Sequence, residues 1–117
     1  MRIRIVAVGK LKEKYFADAA AEYVKRLGRY AKVEVVQIPD RKIPDHASLA
    51  QEKQVLAQEG GDILAKIGEQ SYVIALCVEG NKLDSVSFSK KLSSLALSGK
   101  SDVVFLIGGS LGLDERV

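Results

Sequence analysis

The residues best able to do chemistry in this 117-residue sequence gather in two short stretches. One is GKLKEKY, from Gly9 to Tyr15, with lysines at Lys10, Lys12 and Lys14. Lysines clustered in this way could hold phosphate groups. They would serve equally as the solvated flank of a helix start. The other stretch is IGGSLG, from Ile107 to Gly112, a G-G-x-x-G spacing behind an apolar run. Glycines let backbone N–H groups approach a ligand closely, and a plain tight turn would use the same residues. The spacing is neither the dinucleotide fingerprint G-x-G-x-x-G nor the phosphate loop G-x-x-x-x-G-K-[ST]. Cys77 ends an apolar run and reads as a buried, inert thiol, because no clustered base accompanies it. His46 lies in a proline-containing loop and reads as exposed, and Glu79 reads as a turn residue. One histidine and one cysteine argue against a zinc site, which wants about four N or S ligands. No Ser-His-Asp set and no paired carboxylates stand out. An enzyme made of these residues would work mainly by positioning its reactants.

The elements that must hold these stretches follow from hydrophobic periodicity. RIRIVAV, Arg2 to Val8, is rich in β-branched residues and reads as a strand. From Lys14 to Arg29 the period changes, and Phe16, Ala19 or Ala20, Tyr23 and Leu27 form one stripe expected to be buried on an amphipathic helix. KVEVVQI, Lys32 to Ile38, is a second strand, stopped by Pro39. Ser48 with Gln51 reads as a capping box that opens a helix to about Ile67. Gly60 and Gly61 fall inside that helix and leave open a kink or a break into two. SYVIALCV, Ser71 to Val78, is continuously apolar, as expected of a strand covered on both faces. A helix over Ser85 to Leu97, with Phe88, Leu92 and Leu95 inward, and a fourth strand DVVFLI follow. Leu113 to Arg116 reads as the start of a further helix. The β-α-β-α-β-α-β order implies one α/β domain, residues 1–117, with a parallel sheet and helices on both faces. Ligands of such sheets sit beyond the carboxyl ends of the strands, where both stretches fall.

Composition narrows the class further. No run approaches the roughly 20 apolar residues that cross a bilayer, and the first residues lack the pattern of a signal peptide. A cytoplasmic protein without a membrane partner is the expectation. The net charge is +3, unevenly spread. Residues 1–30 carry eight basic and three acidic groups, while the remainder is slightly acidic. A basic first third could meet a polyanion such as RNA, or be a solvated helix face.

Taken together, IVAVGKLKEKYF…EYVKRL, IPDRKIP, EGGDILAKI, VIALCVEGNKLDS and FLIGGSLGL resemble the RlmH family over the whole chain. These are SPOUT-class methyltransferases that act on ring nitrogen N3 of a pseudouridine in large-subunit (23S) ribosomal RNA. The resemblance implies an S-adenosyl-L-methionine cofactor, a homodimer, no metal, and a C-terminal trefoil knot. It also implies two cofactor-binding residues: Leu76, an apolar side chain at a strand end, and Gly108, where backbone approaches the cofactor. It identifies no catalytic residue in this chain. Family members continue through a further helix, a fifth strand and a last helix that tie the knot. The chain is therefore expected to be truncated at its C-terminus, inactive in this form, weak in cofactor binding and prone to associate. Two alternatives stay open: a non-catalytic RNA- or partner-binding α/β module, and a flavodoxin-like nucleotide binder.

Overall fold

The computed structural model describes residues 1–109, 111–114 and 117. The elements, in order, are β1 (Arg2–Val8), α1 (Lys14–Leu27), β2 (Lys32–Ile38), α2 (Leu49–Leu64), β3 (Tyr72–Leu76), α3 (Ser85–Leu97) and β4 (Asp102–Ile107). All strands run parallel in one sheet of order β2-β1-β4-β3. The chain visits one edge through β2, crosses to the other through β3, and returns to the centre with β4. Right-handed crossovers place α2 on one face and α1 and α3 on the other. The fold class expected from the sequence is the one found.

Side-chain alternation follows from this layout. Val6, Ile38, Val104 and Leu106 point to the α2 face and close on Ile63 as one buried cluster. On the opposite face Phe105 meets Phe88 of α3, with ring centroids 5.9 Å apart. Leu95 is buried and Leu92 partly so, as the spacing predicts. The Ser48–Gln51 capping box is formed. The Gln51 amide donates to Ser48 Oγ at 3.2 Å, and the Ser48 amide donates to Gln51 Oε1 at 2.8 Å.

The amino end of the sheet is tied by a polar clamp. Arg4 donates to the Lys66 carbonyl at 2.8 Å and to Ser71 Oγ at 3.0 Å, and it pairs with Asp102 at 3.3 Å. Ser71 donates to the same Asp102 oxygen at 2.9 Å. Charge-assisted hydrogen bonds in this half-buried setting are stronger than neutral ones, so the base of the sheet is the polar anchor of the fold.

Several expectations are corrected. β3 is an edge strand and not a doubly covered one: it ends at Leu76, and Leu76 is 51% exposed. Cys77 consequently lies beyond the strand and is exposed, its carbonyl accepting from the Gly80 amide in a turn at 3.1 Å. The α1 stripe is not buried. Only Ala20 and Val24 are partly covered, while Phe16, Tyr23 and Leu27 face outward. α2 is one unbroken helix through Gly60 and Gly61. Of the expected further helix, Leu113 and Asp114 have no regular structure, and Glu115 and Arg116 lie outside the described residues.

Candidate active site

β3 and β4 pair in register, with Leu76 opposite Ile107. Gly108 is the next residue, so Leu76 and Gly108 reach the same carboxyl rim. Both line a cavity of about 860 Å³ whose wall also includes Cys77, Glu79, Leu113 and Asp114. The two residues singled out from the sequence are thus brought together.

Gly109 and Gly112 close the glycine stretch on itself. The Gly112 amide donates to the Gly109 carbonyl at 3.0 Å, and the two residues form an antiparallel bridge. Gly112 has φ +85°, in the left-handed region that side chains disfavour. A Cβ on Gly108 would lie 2.5 Å from the Gly112 oxygen, so no other residue fits without opening the turn. Ser110, within the same stretch, lies outside the described residues.

A second cavity of about 620 Å³ lies at the same rim. Gly108 and Gly109 form the shared wall; Lys10, Lys12 and Asp40 are among its other lining residues. Lys10 and Lys12 come from the first stretch, brought to the rim by the end of β1. Lys14 begins α1 instead and is not part of this lining. His46 is exposed in its loop, as expected.

Behind the turn stands a residue that the motif search passed over. Glu59 of α2 is only 3% exposed. Its carboxylate accepts from the Arg41 amide at 3.1 Å and lies against Gly109, where a Cβ would come within 3.1 Å of Oε1. Burial raises the Glu59 pKa above the usual carboxylate range; the Arg41 amide pulls it back, and Asp40 pushes it up again by charge and by hydrogen bonding. One glutamate therefore joins the end of β2 to the glycine turn after β4. The signal was present in the sequence. Val55, Glu59 and Ile63 are spaced four apart, so the acid sits on the apolar stripe of its helix.

A layered parallel sheet with two cavities at its carboxyl rim, both lined by Gly108 and Gly109, is the arrangement in which α/β folds hold small molecules. A family model described as "Predicted SPOUT methyltransferase" matches residues 1–117, and the chain belongs to that family. It is similar to the Ribosomal RNA large subunit methyltransferase H of Leuconostoc citreum (strain KM20), with 56% identity over 117 residues, covering 100% of this chain and 74% of the relative. The proteins of the same name from Streptococcus suis (strain 05ZYH33) and Streptococcus thermophilus (strain CNRZ 1066) are each 51% identical over the same share of both chains. Among the described residues, no group of three or more His, Cys, Asp or Glu could hold a metal ion. No helix among them is long and apolar enough to cross a membrane.

Proposed function

We propose that this chain is an S-adenosyl-L-methionine-dependent methyltransferase of large-subunit ribosomal RNA, acting on ring nitrogen N3 of a pseudouridine in the cytoplasm. The observation that carries the reading is the juxtaposition of Leu76 and Gly108 on one cavity wall. The residues present fit the cofactor. Leu76 offers a half-exposed apolar surface for an adenine ring, and Gly108 brings backbone to the same wall. Glu79 sets a carboxylate in the same wall, complementary to a cationic ligand. When bound, the cofactor supplies an electrophilic methyl group on a positively charged sulfur. What the chain supplies is alignment: Leu76 and Ile107 fix one side of the cavity through strand pairing, and the hydrogen-bonded turn fixes the other.

Two measurements test this. In an NMR titration with S-adenosyl-L-methionine, the amides of Leu76 to Glu79 and of Gly108, Gly109 and Gly112 should shift. Leu76→Glu should abolish those shifts without unfolding the protein, because Leu76 is half exposed. Deleting the reading frame should remove one methyl group from large-subunit rRNA, read by mass spectrometry of its nucleosides. Shifts confined to other residues would refute the cofactor site, and an unchanged nucleoside profile would refute the substrate.

The same reading includes a homodimer. It is supported by the aromatic and aliphatic side chains that α1 leaves uncovered: Tyr15, Phe16, Tyr23 and Leu27. Apolar surface concentrated in this way on a folded protein marks an interaction site.

A further inference from the structure

We infer that the second rim cavity, walled by Lys10, Lys12, Asp40, Gly108 and Gly109, holds the acceptor nucleotide, with Lys10 and Lys12 taking its phosphates. The inference rests on the methyltransferase reading and extends it to the RNA. An acceptor has to lie within bonding reach of the group it receives, so its cavity must adjoin that of the cofactor. Among the described residues, the cavity that shares Gly108 and Gly109 with the first meets this condition, and its volume of about 620 Å³ is within the range of small-molecule pockets.

The charges of its lining suit an RNA strand. Lys10 and Lys12 are exposed, and no ion pair among the described residues engages them. Asp40 is the one acid among the described lining residues. It lies beside Glu59, to which it can hydrogen-bond when one of the two carboxyls holds a proton. The nearby Arg41 is already occupied, paired with Asp62 at 2.7 Å. Two unpaired cations against one acid leave a net positive mouth, and a phosphate backbone binds such a mouth by displacing its counterions. Because Gly108 and Gly109 line both cavities, a ring held in one and a cofactor held in the other share the same rim.

The experiment is fluorescence anisotropy of a labelled, uridine-containing single-stranded RNA hexamer across a range of salt concentrations. It compares the wild-type chain with K10A/K12A and K32A/K100A. Lys32 and Lys100 lie at the opposite, amino end of the strands, and serve as the control for non-specific attraction. K10A/K12A should bind roughly tenfold more weakly, with a slope of log K against log salt shallower by about 1 to 2. K32A/K100A should bind as wild type does. All four lysines are exposed, and unchanged far-UV circular dichroism will certify the folds. Equal affinity of K10A/K12A and wild type, equal losses in both double variants, or no binding by wild type would each overturn the inference. The cofactor shifts and the rRNA methyl group report on the underlying reading independently of this result.

Discussion

Glu59 sits where an aliphatic residue would be expected, between Val55 and Ile63 on the buried side of α2. Its one amide donor, from Arg41, only partly offsets the loss of water, so the folded protein holds the Glu59 proton more tightly than the unfolded chain does. Linkage gives the sign. The stability associated with this group is complete below the pKa of the unfolded carboxyl and falls away as pH rises through the raised folded value. Glu59→Gln keeps an acceptor for Arg41 and removes the titration. The variant should unfold at higher urea than wild type at pH 7, and the gap should close toward pH 4. A wild type that gains on the variant as pH rises would contradict this account. Asp40 and Arg41 act on Glu59 by charge, so the comparison reads Glu59 in the field of both.

At the scale of elements, the adjacent glycines of α2 do different jobs. Gly60 is buried, and a Cβ there would come within 2.8 Å of the Asp114 side chain; at Gly61 nothing lies within 4 Å. Gly61→Ala should stabilise the protein by about 1 kcal/mol, the usual helix-interior difference. Gly60→Ala should gain nothing or lose stability, because the closing segment must shift. Urea midpoints of the two variants check this, and equal gains would show that Asp114 does not constrain Gly60. The pair also marks what sequence reading could reach. The alternation of strands and helices was legible because a period of two and a period near 3.6 leave different traces in RIRIVAV and in Lys14 to Leu27. The continuity of α2 was not, because propensity counts two glycines as a break and cannot see the neighbour that requires one of them. VIALCV is as apolar as DVVFLI, yet one is an edge and the other is central. Composition reports that a strand is apolar and not where in the sheet it lies. Leu76 and Gly108 were singled out through family resemblance, and Glu59 was passed over because a lone acid in a helix has no motif.

For the molecule as a whole, the misread element is α1. Its apolar spacing was expected to signal the core, but an amphipathic pattern records only that one face avoids water. Here Ala20 and Val24 are partly covered while Phe16, Tyr23 and Leu27 are exposed. Burial of such side chains against another chain is worth about 25 cal/mol per Å². Sedimentation equilibrium should therefore find the wild-type chain self-associating, and F16E/Y23E shifted toward the monomer with its circular dichroism unchanged. A wild type that stays monomeric at every concentration tested would remove the support for a dimer through this face.

The clamp at the base of the sheet has a temporal side. Arg4 and Asp102 are 98 residues apart in sequence, and β1 and β4, which carry them, are neighbours at the centre. As the chain emerges during synthesis, β1 can zip to β2 early, but its other flank stays bare until β4 appears. β4 is thus the keystone: β1 completes its pairing only once the chain through Ile107 is available, and the centre of the sheet waits for a partner about a hundred residues downstream.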